Sequence, residues 1–471
     1  MNKYNKLISN SVIFIIGNFG SKLINLLMVP LYTNYLSTVE YGSADLILTT
    51  RNMLLPFLTM ELGQAAVRYT IGDSSKLEKE SIFSNLVGYS TIISIILVIF
   101  YPVLSLLNVG IDNLGLLIIL LILSVMNNYL SLYIRGIGLV KQFAFNGIIT
   151  TIVTVISNIL LLTIFDFGLN GYLFSILLAT FISNVYLLIC ISKGINIFNF
   201  NYNRSLLKEM LTFSVPIIPT SAIWWIINGS TRYFILFFLN TSANGIFAVA
   251  NKIPSIISLL SGIFFQAWQL SSFEEYESED KDIFYSNIFN LFSTLMFLVG
   301  GGLLIVIKPI FAIFVGADYY ASWEVAPLLI LAVIFQGFSS FLGTNYTSAM
   351  KTKGSLTTSI YGGIISVISS FLFIPWFGLI GAGISSLLSF LGVFIIRFID
   401  TRKFVKISLK TSVFILNILI YCLQTLLLFM MNGLVLIIFE IILYILMIVI
   451  NWNFLKPIML KIWMTIKKKI F

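Results

Sequence analysis

The sequence predicts an all-α polytopic membrane protein with 14 transmembrane helices, arranged as two six-helix lobes plus two C-terminal helices. Three observations support this class. The 471 residues are 58% hydrophobic and only 10% charged, whereas a soluble domain has about 25% charged residues. Apolar stretches long enough to cross a bilayer recur along the whole chain. Basic residues are concentrated between alternate stretches, as the positive-inside rule requires.

Each span is justified by a run of mostly apolar residues, of which about 20 are needed to cross the hydrocarbon core. The predicted spans are 9–31, 43–63, 81–104, 113–133, 145–165, 171–191, 211–239, 243–265, 283–307, 322–345, 355–374, 379–396, 411–431 and 434–454. The first stretch is longer than the apolar part of a signal peptide, and no small-residue cleavage site follows it. We therefore expect a retained helix.

The orientation follows from the distribution of lysine and arginine. With the N-terminus in the cytoplasm, Lys308 is the only basic residue assigned to an external connector. Lys22, Arg51, Arg232 and Lys252 fall within spans. The other basic residues, including Arg397, fall in cytoplasmic segments. This asymmetry predicts a cell-membrane protein whose two termini are both cytoplasmic.

Composition excludes several kinds of chemistry. The chain has no histidine, which rules out histidine general acid–base catalysis and histidine-ligated metals. Cys190 and Cys422 lie in apolar stretches and are expected to be packing residues. We expect no metal and no cofactor. The net charge of +9 is explained by membrane orientation, so no nucleic-acid partner is predicted.

An internal repeat divides the chain. Residues 36–42, LSTVEYG, resemble residues 239–245, LNTSANG, and residues 167–171, FGLNG, resemble residues 377–381, FGLIG. Lys141 and Lys351 have a similar separation. These matches predict an N-lobe over 1–205 and a C-lobe over 206–405 with the same orientation. Two extra helices and a basic cytoplasmic tail are predicted over 406–471.

Three cations mark the predicted binding site. From a rise of about 1.5 Å per residue, Lys22, Arg51 and Lys252 lie roughly 10–14 Å below the outer ends of their spans. That depth is near the midplane of a core about 30 Å thick. A cation there costs about 2.5–3.5 kcal/mol and normally faces a bundle interior or a watery cavity. We therefore predict a cationic central cleft, which favours an anionic substrate.

Polar residues at helical spacing extend this predicted site. Asn18 and Asn25 share a stripe with Lys22 on the first span, and Asn251 lies beside Lys252 on the eighth. Polar stripes in a membrane face inward, although any single asparagine could equally make an ordinary interhelical hydrogen bond. Arg232 is shallower and is the weakest candidate, since its side chain could extend outward to the interface.

Two segments carry a family resemblance. Residues 10–23, NSVIFIIGNFGSKL, and residues 29–42, VPLYTNYLSTVEYG, resemble bacterial polysaccharide repeat-unit flippases, the O-antigen and capsule translocases. That family belongs to the superfamily of multidrug, oligosaccharidyl-lipid and polysaccharide exporters. The similarity is strongest over the first 70 residues, while the number of spans and the repeat extend it along the chain.

The resemblance implies a transporter rather than an enzyme. Its expected substrate is an undecaprenyl-pyrophosphate-linked oligosaccharide, moved from the cytoplasmic to the outer leaflet by alternating access. By the same resemblance, Lys22, Arg51 and Lys252 would meet the pyrophosphate. Membrane lipids and the polysaccharide polymerase machinery are the other partners that it implies.

Two alternative functions remain open at this point. A multidrug exporter with the same fold would be expected to have an acidic residue on the first span, and none occurs there. A membrane enzyme that polymerises or ligates glycans would need a sizeable external loop. The longest predicted external loop, near Lys308 to Ala321, contains Asp318 as its one acidic residue.

Overall fold

A computed structural model describes residues 20, 23–70, 75–106, 113–197, 199–351, 353–456 and 463. Within these ranges every regular element is a helix, which confirms the all-α class. The first seven α-helices are α1 (Val29–Tyr35), α2 (Thr38–Thr59), α3 (Leu62–Thr70), α4 (Lys76–Leu106), α5 (Leu114–Gly136), α6 (Val140–Asn158) and α7 (Gly168–Ser192). A π-helical segment, Ile159–Ile164, extends α6.

Nine further α-helices follow in the described part of the chain. They are α8 (Arg204–Ser214), α9 (Ile218–Phe238), α10 (Thr241–Ala250), α11 (Pro254–Glu274), α12 (Lys281–Phe314), α13 (Ser322–Ser348), α14 (Lys353–Asp400), α15 (Thr411–Met430) and α16 (Gly433–Ile450). Helix α14 consists of two helices, because Gly378 between them has φ 57° and ψ −132°.

Eleven helical segments among the described residues are long and apolar enough to cross a membrane. They confirm a polytopic membrane protein, whereas the number 14 stays a prediction. Most of the predicted first span lies outside the described residues. Helix α2 is not among the eleven and carries Glu40, Asp45 and Arg51. The predicted spans 355–374 and 379–396 both fall within α14.

Two predicted spans are interrupted in the structure. The second predicted span, 43–63, is interrupted because α2 ends at Thr59. The next two residues, Met60 and Glu61, both have positive φ, at 48° and 52°. The eighth, 243–265, breaks after Ala250 and resumes at Pro254, because a proline has no backbone N–H with which to continue the preceding helix. The predicted eighth span is therefore divided between α10 and α11.

The chain divides into two compact units. The first comprises Met1–Leu236 with Asn240–Gly245, and the second Phe237–Leu239 with Ile246–Phe471. Most of α9 belongs to the first unit because it bonds to α2: Trp225 Nε1 donates to the Thr49 carbonyl at 3.2 Å. The hydroxyls of Thr50 and Tyr233 are 2.7 Å apart. These two units are defined by contacts within the chain. The lobes over 1–205 and 206–405, which were predicted from the repeat, remain a proposal.

Each unit has its own core. Leu62, Ala65 and Tyr133 are fully buried in the first unit. In the second, α13 is mostly buried, and the rings of Phe289 and Phe338 have centroids 5.6 Å apart. Many other large apolar side chains remain exposed, which is the pattern expected where lipid rather than water surrounds the helices.

The two FGL turns of the repeat share a backbone feature. Gly168 and Gly378 have φ of 50° and 57°, a region that glycine occupies without steric cost. The helix after each turn bonds to the helix before it: Ser175 Oγ donates to Asn158 Oδ1 at 2.5 Å, and the hydroxyls of Ser385 and Ser370 are 2.7 Å apart. These equivalent contacts support the proposed duplication.

The prediction that Arg397 lies in a cytoplasmic connecting segment is wrong, because α14 continues to Asp400 and the arginine is 1% exposed. Its guanidinium donates to Thr358 Oγ1 at 3.0 Å, to the Ser339 carbonyl at 2.9 Å and to Ser359 Oγ at 2.9 Å. A guanidinium can be buried when its donors are met in this way.

Candidate functional site

Arg51 lines a cavity of about 580 Å³ within the first unit. Helices α2, α3, α5, α6 and α7 form most of its walls, and Asn25 contributes from the segment before α1. The lining residues are Asn25, Arg51, Leu55, Gln64, Ser124, Asn127, Asn128, Ser131, Leu132, Phe143, Ala144, Asn146, Gly147, Thr150, Thr151, Thr154 and Thr180. Amide and hydroxyl groups therefore predominate in a protein that is otherwise strongly apolar.

A hydrogen-bond network holds the cavity amides in place. Asn127 Nδ2 donates to Ser183 Oγ at 2.7 Å and to Asn184 Oδ1 at 2.9 Å. Ser183 Oγ in turn donates to Asn146 Oδ1 at 2.9 Å. This network joins α5, α6 and α7, and it fixes the orientation of two lining side chains before any ligand binds.

The threonine hydroxyls of α6 are positioned by their own helix. Thr150 Oγ1 donates to the Asn146 carbonyl and Thr154 Oγ1 to the Thr150 carbonyl, both at 2.8 Å. A hydroxyl whose proton is used in this way still has lone pairs that accept hydrogen bonds. The threonines therefore offer acceptors, and the asparagine amides offer both donors and acceptors, to a polar molecule in the cavity.

The charge of Arg51 is not balanced by a described carboxylate. Its Nε and Nη2 donate to Asn52 Oδ1 at 3.2 and 2.9 Å. Arg232 and Lys403, by contrast, form ion pairs with Asp45 and Asp400. A guanidinium presents five donors in a planar fork that suits carboxylate and phosphate groups. The arrangement is therefore suited to an anionic ligand.

Arg232 has a different environment. Its Nε donates to Asp45 Oδ2 at 2.6 Å, and its Nη1 donates to the Asn228 carbonyl at 3.0 Å. The ion pair joins α9 to α2 and leaves both side chains less than one-fifth exposed. Asp45 was not predicted as this partner, although it is an acidic residue within a predicted span, and such residues usually pair with a cation.

The other predicted site residues are only partly placed. Lys22 and Asn18 lie outside the described residues. Asn251 and Lys252 belong to the second unit, in the turn between α10 and α11. Asn251 Nδ2 donates to the Phe247 carbonyl at 2.8 Å. Of the predicted residues that are described, Arg51 and Asn25 share one cavity, and the three-cation cleft remains a proposal.

Several cavity residues were missed at the level of sequence. Asn127, Asn128 and Asn146 lie within predicted spans, and Thr150 and Thr154 follow Asn146 at a spacing of four residues. Such a polar face on a membrane helix indicates an inward orientation. The polar face was visible in the sequence. However, the sequence does not show how α5 packs against α6, so it could not indicate that these residues share a cavity with Arg51.

The fold defines a multi-pass helical membrane protein, and its first unit encloses a polar cavity. A family model described as polysaccharide biosynthesis protein matches residues 7–269, more than half of the sequence. The chain belongs to this family. No curated protein matches the sequence.

Solved structures have the same fold at low identity. The lipid II flippase MurJ in an inward closed conformation is 15% identical, with a TM-score of 0.72 over 95% of this chain and 100% of the other. An inward-facing multidrug resistance MATE family transporter of the MOP superfamily is 15% identical, with a TM-score of 0.69 over 81% of this chain and 94% of the other. At this identity the similarity establishes the fold alone.

Proposed function

We propose that the protein is a flippase for undecaprenyl-pyrophosphate-linked oligosaccharide repeat units. It moves them from the cytoplasmic to the outer leaflet of the cell membrane, with both of its termini cytoplasmic. The observation that carries this proposal is the cavity of the first unit, where Arg51 has no carboxylate partner among the described residues and amides and hydroxyls line the walls. Membership in a polysaccharide biosynthesis family supports the same substrate class.

The chemistry of the substrate matches the cavity. A pyrophosphate diester is an anion that an arginine fork can bind through charge-assisted hydrogen bonds. Sugar hydroxyls both donate and accept, so they suit side chains such as Asn127, Asn146 and Thr154. The prenyl chain can remain in lipid while the polar head occupies the cavity. The protein then replaces the water that the head group loses on leaving the membrane surface.

The other predicted residues are assigned supporting roles within this proposal. Lys22 and Lys252 would add positive charge for the pyrophosphate, and Asn18, Asn25 and Asn251 would contact sugar. Arg232 contributes less to binding because Asp45 balances its charge. Rocking of the two lobes would give alternating access. An inside-negative potential favours outward movement of an anion by about 2.3 kcal/mol per charge per 100 mV.

The proposal is tested by complementation of a deletion strain that does not make this protein and produces no surface polysaccharide. The wild-type protein should restore the polymer, and Arg51→Gln should not, at equal membrane levels. Arg51→Lys should restore it in part, because the charge remains without the planar fork. Arg68→Gln is the matched control, since Arg68 is exposed on α3 and does not line the cavity. Normal polymer in Arg51→Gln would refute the assigned role of Arg51.

A multidrug exporter is the second candidate, because MATE transporters share the fold. Cationic drugs require acidic groups, and the described residues that line the cavity of the first unit include neither aspartate nor glutamate. Overexpression should therefore give no resistance to cationic drugs.

The third candidate, a glycan polymerase or ligase, is disfavoured by the short connection of residues 315–321 between α12 and α13. We propose that polymerase machinery uses the translocated repeat unit.

A further inference from the structure

A second cavity, of about 570 Å³, lies within the second unit. The end of α13, both halves of α14 and the turn that follows α14 form its walls. Three lysines line it: Lys351, Lys353 and Lys403. On the orientation that the basic residues predict, this cavity lies at the cytoplasmic side of the membrane, and it shares no lining residue with the cavity of Arg51.

The cavity has an excess of positive charge. Asp400 is its one acidic lining residue among those described, and it is already engaged: Lys403 Nζ is 2.7 Å from Oδ1, and the Tyr346 hydroxyl donates to Oδ2 at 2.6 Å. Lys351 and Lys353 are exposed, and no described carboxylate lies within ion-pair distance of either. Two ammonium groups therefore remain available to an anion.

A buried cation reinforces this charge. Arg397 Nε donates to Thr358 Oγ1 at 3.0 Å, and Thr358 lines the cavity. The guanidinium thus lies directly behind the cavity wall that Thr358 forms, and its hydrogen bonds hold the charge in a fixed position. Because Arg397 is only 1% exposed, its charge is screened less by solvent than one on the protein surface.

An apolar stripe begins at the cavity and continues along α14. Tyr361 lines the cavity and is 50% exposed. Ile364, Ile368 and Phe371 follow at intervals of three and four residues, with exposed fractions of 48%, 53% and 59%, so they share one helix face. In a membrane helix, such a face is in contact with acyl chains. A basic cavity joined to this stripe matches an amphiphile rather than a soluble ion.

We propose that this cavity binds the phosphate headgroup of an anionic phospholipid of the cytoplasmic leaflet, with its acyl chains along the stripe. Lys351 and Lys353 pair with the phosphate, and Tyr361 lies where headgroup and chain meet, a position that aromatic residues favour. Basic pockets between transmembrane helices on the cytoplasmic side are suited to lipid headgroups. The site is independent of the proposed transport substrate.

Native mass spectrometry of the purified full-length protein tests the proposal, with phosphatidylglycerol as the anionic probe and phosphatidylcholine of the same chains as the neutral one. Phosphatidylglycerol should bind more tightly. The double variant Lys351→Gln/Lys353→Gln should weaken its binding about 25-fold, at roughly fivefold per lysine. The control Lys406→Gln/Lys410→Gln removes two lysines of the same predicted side outside the cavity, and it should change binding less than about twofold.

Three results would overturn the proposal. Equal binding of the two lipids would show that headgroup charge is not recognised. An equal loss in the cavity and control variants would indicate general attraction to a basic surface. Displacement of phosphatidylglycerol by millimolar inorganic phosphate would identify a soluble anion as the ligand. Size-exclusion profiles and thermal unfolding establish that the variants are folded, as expected for exposed side chains.

Discussion

Gly42 and Gly245 occupy reciprocal positions where the first turns of α2 and α10 meet. A methyl group on Gly42 would overlap the carbonyl oxygen of Thr241, and a methyl group on Gly245 would overlap that of Thr38. The same sequence separation relates both the two glycines and the two threonines. Two copies of one motif make such reciprocal contacts when they pack symmetrically, which gives the repeat of residues 36–42 and 239–245 a structural meaning.

Substitution of either glycine should destabilise the protein. Gly42→Ala or Gly245→Ala places a methyl group against backbone that cannot yield as a flexible side chain would, so we expect a loss of about 1–3 kcal/mol. The measurement is thermal unfolding of the purified protein in detergent. Gly262→Ala is the matched control, because a methyl group there meets no atom within 4 Å, and its stability should be equal or slightly higher. Equal stability of all three variants would contradict the close approach.

The Arg232–Asp45 pair should show coupling. Either Arg232→Gln or Asp45→Asn leaves a poorly solvated charge without its partner, which costs about 1–3 kcal/mol. The double variant removes both charges and should be no less stable than the worse single variant, since a mostly buried pair contributes little net stability. Unfolding of all four proteins gives the coupling energy directly. Additive losses would show that the two side chains act independently.

The buried Arg397 should be far more sensitive than exposed arginines. Arg397→Leu leaves the Ser339 carbonyl and the hydroxyls of Thr358 and Ser359 without their donor, so a loss of about 3 kcal/mol or more is expected. Arg402→Gln, an exposed change in the turn after α14, should alter stability by less than about 0.5 kcal/mol. Detergent-extracted yield and unfolding temperature report both. Comparable effects of the two substitutions would argue against the observed burial.

Backbone strain at Gly378 can be separated from crowding. A methyl group there meets no atom within 4 Å, but φ is positive, so Gly378→Ala should cost about 1–3 kcal/mol through the backbone alone. Gly262 has the same open surroundings but lies within α11, where alanine is favoured over glycine. Thermal unfolding of Gly378→Ala and Gly262→Ala therefore isolates the effect of backbone conformation, because an added methyl group is uncrowded at both positions. Equal stability of the two variants would show that the turn at Gly378 does not require a residue that tolerates positive φ.

Much of the fold could be predicted from the sequence, since membrane insertion itself imposes long apolar stretches. The FGL motif likewise indicated the turn at Gly378, because glycine is the residue that this conformation favours. Pro254 was visible within the predicted eighth span as a residue that could kink a helix, and the structure shows a break in the turn before it.

The candidate site was less predictable, for a physical reason. Depth and charge singled out Arg51, which lines a polar cavity, since a cation in a membrane helix faces inward. Its contact with a substrate stays a prediction. Which residues share the cavity depends on helix rotation and on contacts between distant segments. The pairing of Arg232 with Asp45, 187 residues apart, is of the same kind. Periodicity within one helix contains no information about such contacts.

The most direct test of the central claim is a transport measurement with purified components. The protein is reconstituted in vesicles with an undecaprenyl-pyrophosphate-linked oligosaccharide, and the appearance of sugar in the opposite leaflet is followed with a membrane-impermeant lectin. The wild type should move the lipid, and Arg51→Gln should move it about tenfold more slowly or worse, the loss expected for a charge-assisted hydrogen bond. Arg68→Gln should match the wild type. Equal rates for wild type and Arg51→Gln, or no movement above protein-free vesicles, would contradict the account.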